Sequence, residues 1–443
     1  MDLLKDNVGK IFFKYLGATL GSSMIMSIYT IVDTVCIGKY EGADGTAAVA
    51  CFFPMWSMIF AIGLWLGIGS SVIMAQKRGV GDREEGDRFY STGLVWSLIM
   101  SAVLMIAYNL IQEPFLTMCG ASGHILTLAK GYAFWISLSV PVFMIAQYLV
   151  PLIRNDGSPL ITTIATVAGG VFNVFGDIFF VFGCDMGISG AGLATVLGQC
   201  VAFAILISYF FTKKCQLKFT VKFNGFFQKT KKILTVGLSN FLIDIAMGVL
   251  TVIFNRQIVA FLGSAALGIY GVVSNLATII QTLGYSIGES AQAIVSFNYG
   301  AGRQDRIKQV VRYASLTSVL LGIACCLTGE FIPLTLVRVY MTTTAEIESI
   351  AAPILRIYFT AFIFLIFNVF STYYFQSVDK PHISMIVSLM RGVVISGILL
   401  FVLPPIFGGD SIWFAVPIAE MSVSVFVAVN IRKSFKEKHN SQS

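Results

Sequence analysis

The chain has 443 residues, 56% of them hydrophobic and only 12% charged, with a mean hydropathy of +0.81, where an average soluble domain is about 25% charged. So few charges cannot cover a globular surface, and the 37 Phe with the aliphatic excess are the reverse of a disordered composition. The formal net charge of +7 therefore does not call for a nucleic-acid partner, and a polytopic membrane protein remains.

A helix needs about 20 mainly apolar residues to cross a bilayer, and twelve segments qualify. The first, 11–38, has an apolar run longer than a signal-peptide core and no small-residue cleavage site, so it reads as a membrane helix. It carries Asp33 near its far end. The second, 46–76, brings Phe52, Phe53, Met55 and Trp56, which with Met24 and Met26 of the first would suit a greasy cavity for aromatic cations. Spans 89–111 and 127–153 follow. The fifth, 160–183, carries Asn173 and Asp177 four residues apart, hence on one face. The sixth, 188–212, carries Thr195. At 1.5 Å per residue, Asp33, Asp177 and Thr195 fall at similar depth in the outer half of the first lobe.

After a basic stretch, 213–232, the seventh span (233–263) holds Asp244 and Arg256, and the eighth (267–297) holds Glu289. The ninth is 310–340, and the tenth, 347–376, includes Arg356. The eleventh, 383–407, holds Arg391 and the twelfth, 411–431, Glu420. The runs are long and continuous rather than alternating, which indicates helices and not barrel strands. With both termini inside, 23 Lys and Arg lie in loops and tails on that side against three opposite. That asymmetry orients the chain with its termini in the cytoplasm.

Gly63, Gly67, Gly79 and Gly81 recur 221 residues later as Gly284, Gly288, Gly300 and Gly302. Each set lies on the second helix of a half and in the loop after it. Six helices per half make the repeats parallel, related by an axis along the membrane normal. The expected fold is thus an all-α polytopic membrane protein of twelve transmembrane helices. They form two six-helix lobes, 1–212 and 233–443, joined by the linker 213–232 and related by a pseudo-twofold axis.

Ionisable groups inside membrane helices are costly and mark function. Asp33, Asn173, Asp177 and Thr195 make an oxygen-rich cluster that could hold a hard cation or a proton, or simply tie helices together by hydrogen bonds. In the second lobe Asp244 could couple to an ion or bind a cation, or pair internally with Arg391 or Arg256. Glu289 is a further coupling or substrate-binding candidate, and both it and Glu420 could equally be structural. The eight Cys show no C-x-x-C spacing, the three His do not cluster, and no catalytic constellation appears. No phosphate-binding loop or nucleotide domain is present, so uphill transport would draw on an ion gradient.

VDTVCIG (32–38), IRNDGSP (153–159), GISGAGLATVLGQ (187–199), AQAIVSFNYGAGRQDR (291–306), YYFQSVDKP (373–381) and SIWFAVPIAE (411–420) resemble the multidrug and toxic compound extrusion (MATE) family, bacterial branch. The resemblance implies antiport of amphipathic, often cationic compounds against Na+ or H+, across the plasma membrane, by two lobes that open alternately to either side. It implies an ion site at Asp33, Asn173, Asp177 and Thr195, and in other branches coupling acids in the second lobe. The chain departs from the family pattern at Ile178 and Ala293, where Pro is common. It also lacks any Pro in helix 1, where Gly17 and Gly21 could supply flexibility instead. The implied partners are small amphipathic or cationic substrates and membrane lipids, with no cofactor beyond the coupling ion, no nucleic acid, and a monomeric state. A flippase for a lipid-linked or other amphipathic metabolite is the rival. It should carry a cluster of intramembrane cations, for which only Arg256, Arg356 and Arg391 are available.

Overall fold

The computed structural model describes residues 3–221, 224–340 and 344–440, which are helical almost throughout, with no strand among them. Ten helices are long and apolar enough to cross a membrane, and two bent pairs bring the number to twelve. In chain order they are α1 (Val8–Gly42), α2 (Asp44–Val80), α3 (Arg83–Met118), α4 (Gly123–Leu138 and Val140–Asn155), α5 (Pro159–Gly183) and α6 (Gly187–Phe211). Then follow α7 (Phe226–Phe261), α8 (Ala266–Gly300), α9 (Gln304–Phe331), α10 (Ile347–Phe359 and Phe362–Ser377), α11 (Pro381–Phe407) and α12 (Gly409–Lys436). The chain groups into two compact units. Unit 1 is built on Phe13–Gly237, and unit 2 runs from Leu238 onward and includes Asp6–Phe12.

Three spans differ from their sequence reading. The segment 310–340 is not one helix: α9 ends at Phe331, Ile332 is non-helical, and a short helix Pro333–Tyr340 restarts. Pro333 lacks an N–H and pushes the residue before it out of helical geometry. Spans four and ten are bent, by 58° and 41°. Helix α1 has non-helical backbone only at its end, Gly42, so neither Gly17 nor Gly21 breaks it.

The faces are sorted for lipid rather than water. Along α3, Leu98, Ile99, Val103, Ile106 and Leu110 point outward, while Ser91, Thr92, Gly93, Ser97 and Ser101 are buried. Small and hydroxylated residues let helices approach closely where lipid offers no hydrophobic drive for association.

The glycine repeat has a packing meaning. A Cβ on Gly67 would lie 2.8 Å from the Tyr148 carbonyl oxygen of α4, and one on Gly288 would lie 2.3 Å from the Tyr373 ring of α10. In each half the second helix therefore seats against the fourth through a missing side chain. Gly81 and Gly302, at φ +96° and +70°, then turn the chain into α3 and α9. Pro159 and Pro381 start α5 and α11 in corresponding places, where a missing N–H costs nothing.

Candidate functional site

Within unit 1, α5 and α6 approach through Gly169 and Gly198: a Cβ on Gly198 would sit 2.6 Å from the Gly169 carbonyl oxygen. Gly192 brings α6 equally close to α4, where a Cβ would lie 2.6 Å from the Tyr132 carbonyl. The GISGAG…G run is thus a backbone-contact surface, and it aims the polar side chains of three helices at one another. Asn173 Nδ2 donates to Thr195 Oγ1 at 3.2 Å. The Tyr132 hydroxyl donates to Asp33 Oδ2 at 3.2 Å and also faces Thr195. Asp33 and Asp177 are near enough for their charges to repel.

The structure therefore gathers all four N-terminal candidates: Asp33 from α1, Asn173 and Asp177 from α5, and Thr195 from α6. Asp177 is 0% exposed, Asn173 3% and Asp33 8%. Asp33 Oδ1, Asn173 Oδ1 and both carboxylate oxygens of Asp177 have no hydrogen-bond partner among the described residues. A buried acceptor without a donor is costly, and a buried unneutralised carboxylate far more so. The cluster thus presents four acceptor oxygens to a positive charge, with Tyr132 the one donor among the described residues that reaches an acid.

Two features hold this geometry. Asp177 directly precedes a π-helical stretch, Ile178–Gly183, so the helix is irregular immediately after the acid. Such turns recur at functional sites. At the end of α1, the Tyr40 hydroxyl donates to Asp185, and Glu41 Oε1 accepts from Ile188 N at 3.3 Å, at the N-terminus of α6. An acid is favourable there, and the contact ties the helix of Asp33 to that of Thr195. Phe52 packs edge-on against the Tyr132 ring, centroids 5.3 Å apart. Phe52 and Met55 are buried while Met24 and Phe53 are exposed, so the proposed greasy set does not share one surface.

Unit 2 is arranged otherwise. Arg391, which the sequence offered as a partner for Asp244, pairs with Glu420. Its Nη2 donates to Glu420 Oε1 at 2.9 Å and its Nε to the same oxygen at 3.2 Å. Asn368 Nδ2 completes the group, donating to Glu420 Oε2 at 2.7 Å. Arg391 lies on a π-helical stretch, Met390–Val394, about 15 Å into α11 at 1.5 Å per residue. The side chain of Asp244 lies outside the described residues. Glu289 on α8 is half-buried. Arg356 is near Glu330, at 3.6 Å, so it and Arg391 each have an acid and do not converge on one anion site. Gln292 and Gln376, from two of the sequence motifs, meet at 3.1 Å.

A third cluster escaped the sequence reading. Arg78 lies between Asp156 and Asp87, its Nη2 at 2.8 Å from Asp87 Oδ1, and Tyr209 donates to Asp156 Oδ2 at 2.6 Å. Burial holds the Asp156 carboxyl above its ordinary value despite the guanidinium beside it. Asp156 is the acid of IRNDGSP, and its position in that motif was the available signal.

The MatE family model matches residues 18–179 and 245–402. The multidrug export protein MepA of Staphylococcus saprophyticus is 24% identical over 420 residues, 94% of this chain and 92% of that protein. The probable multidrug resistance protein YoeA of Bacillus subtilis is 24% identical over 72% of this chain and 70% of its own length. Among solved structures, an outward-facing multidrug resistance MATE family transporter of the MOP superfamily superposes with a TM-score of 0.90 at 19% identity, covering 98% of both chains. A MOP superfamily transporter from Pyrococcus furiosus, described by the reversed polarity of its binding pocket, superposes at 0.89 and 19% identity over 97% and 96%.

Proposed function

The chain belongs to the MatE family, and from that premise we propose that it exports amphipathic, often cationic compounds in exchange for Na+ or H+ by alternating access. It is a multi-pass membrane transporter of a family of export proteins, not an enzyme. In our reading it works as a monomer in the plasma membrane among lipids, needs no cofactor beyond the coupling ion, and has both termini in the cytoplasm. Residues 1–212 and 233–443 act as two lobes and 213–232 as their linker.

One observation carries the coupling assignment: four buried oxygens of Asp33, Asn173 and Asp177 have no hydrogen-bond partner among the described residues. A Na+ ion would take oxygens of both carboxylates, the Asn173 carbonyl and the Thr195 hydroxyl, as a hard cation prefers. A proton would instead neutralise one carboxylate, for which burial and the like charge beside it are the usual driving forces. Either way the mutual repulsion of the two acids is relieved. The equilibrium between states shifts by the difference in ion affinity between them.

Proteoliposome efflux of a fluorescent cation, driven first by an imposed Na+ gradient and then by an imposed pH gradient, identifies the ion. Asp33→Asn should lose the gradient-driven component while the protein still folds; transport at the parental rate would overturn the assignment.

A further inference from the structure

The segment after α6 is held down rather than loose. From Cys215 to Val221 the chain has no regular secondary structure, and the backbone N–H groups of Gln216, Lys218 and Thr220 are taken up by unit 1. Gln216 N donates to Asp156 Oδ2 at 2.9 Å, Lys218 N to Asp87 Oδ1 at 3.5 Å, and Thr220 N to Ser91 Oγ at 2.9 Å. Arg78 Nη2 adds a bond to the Gln216 carbonyl at 2.8 Å. The buried Arg78–Asp87–Asp156 cluster thus serves as an anchor for this strap.

With one edge pinned, the strap turns Leu217 inward (7% exposed) and presents the rest. Lys213, Lys214 and Lys218 are exposed, as is Lys231 on the first turns of α7, and none has an acidic partner among the described residues. Nearby cations are already used: Lys229 pairs with Glu85 at 3.0 Å, and Arg88 with Glu84 and Glu85. Interleaved with the spare lysines are large exposed apolar groups: Phe211 (86%) ending α6, Phe219 (54%), and Phe227 (81%) beginning α7. Phe211 and Phe227 stand at adjoining ends of two helices long and apolar enough to span a membrane, with Phe219 on the strap between them, which is where the edge of the hydrocarbon is expected. Aromatic rings settle at that boundary, and ammonium groups beside them reach lipid phosphate.

We propose that the strap and the helix ends flanking it form a docking surface for the phosphate-bearing headgroups of anionic lipids. On the orientation proposed above, the leaflet is the cytoplasmic one; the proposal rests on that reading for the side of the membrane only. Because the strap is pinned, the lysines stand at set positions and should retain a small, countable number of lipids, whereas a loose basic linker would attract them diffusely.

Full-length protein is reconstituted in nanodiscs of phosphatidylcholine containing either phosphatidylglycerol or more phosphatidylcholine, then extracted, and retained lipid is counted by native mass spectrometry. Nanodiscs expose both leaflets, so the result does not depend on cellular orientation, which cysteine labelling in cells tests separately. Wild type should retain phosphatidylglycerol preferentially. K213Q/K214Q/K218Q should bind it more weakly, by about fivefold per lysine removed, with phosphatidylcholine unaffected. The corresponding Lys→Arg triple should behave as wild type, and retention should fall as NaCl is raised. These last two measurements stand even where the Gln variant folds poorly. Equal retention of the two lipids by wild type, or an unchanged preference in the folded Gln triple, would overturn the proposal. So would displacement of phosphatidylglycerol by inorganic phosphate but not by chloride at equal ionic strength, which would assign the site to free phosphate.

Discussion

The charged clusters of the two units occupy comparable helices and have opposite electrostatics. In unit 1, α4, α5 and α6 supply Tyr132, Asp177 and Thr195, joined by Asp33 from α1. In unit 2, α10, α11 and α12 supply Asn368, Arg391 and Glu420. In each, a π-helical stretch adjoins or contains the charged residue of the fifth helix of the repeat. Yet among the described residues unit 1 leaves both oxygens of Asp177 and one each of Asp33 and Asn173 without a donor, while both oxygens of Glu420 are satisfied by Arg391 and Asn368. Unit 2 carries its own cation on a tether; the acids of unit 1 have none among the described residues, and in our proposal the coupling ion supplies it. A duplicated scaffold can thus leave one buried acid cluster open and close the other by a single basic side chain.

The sharpest way to break this comparison is to remove charge on either side. Asp177→Asn or Asp33→Asn should reduce gradient-driven efflux to background while leaving the melting temperature level or raised, because no basic side chain among the described residues balanced the lost charge. A melt that fell steeply would mean that these acids hold the fold. Arg391→Met should do the reverse, destabilising by about 3–5 kcal/mol because Glu420 is left buried and unpaired. Arg391→Met with Glu420→Leu should recover most of that loss in thermal unfolding. If the single variant melts like the parent, the tethered-cation reading fails.

Smaller effects test how the site is held. Gly198→Ala places a methyl 2.6 Å from the Gly169 carbonyl, so α5 and α6 must part, at a cost of about 1–3 kcal/mol. Since that moves Asn173 away from Thr195, half-maximal transport should need more coupling ion. Gly17→Ala, where a Cβ meets nothing within 4 Å, is the control on α1. Tyr132→Phe removes the donor to Asp33 and should change the ion concentration for half-maximal transport by about fivefold, the worth of one hydrogen bond of about 1 kcal/mol. No change there would exclude Tyr132 from the site.

Much of the fold was legible without coordinates. Twelve spans can be placed because hydropathy over about 20 residues is a local sum. The half-chain repeat could be read from glycines because both copies need the same missing side chain against the fourth helix. Less was legible where one residue breaks a continuous apolar run, as Pro333 does after Ile332. At the site, Asn173 and Asp177 declared themselves by helical spacing, and Asp33 by being an acid in a membrane helix. Tyr132 gave no signal, for one more aromatic in a chain rich in them is indistinguishable from a packing residue. The partner of Arg391 was equally hidden: Asp244 and Glu420 are both acids on membrane helices, and choosing between them requires knowing which helix faces α11. Arg78 looked like one of many loop cations, although it is buried between two acids.

By itself the sequence determined that this chain lives in a membrane, how many times it crosses, and that it is built twice, because those properties are sums over neighbouring residues. Only the tertiary structure decided which buried charges are satisfied and which are not. That depends on donors brought in from helices far apart in the chain, and a few ångströms separate a closed ion pair from an open acid cluster.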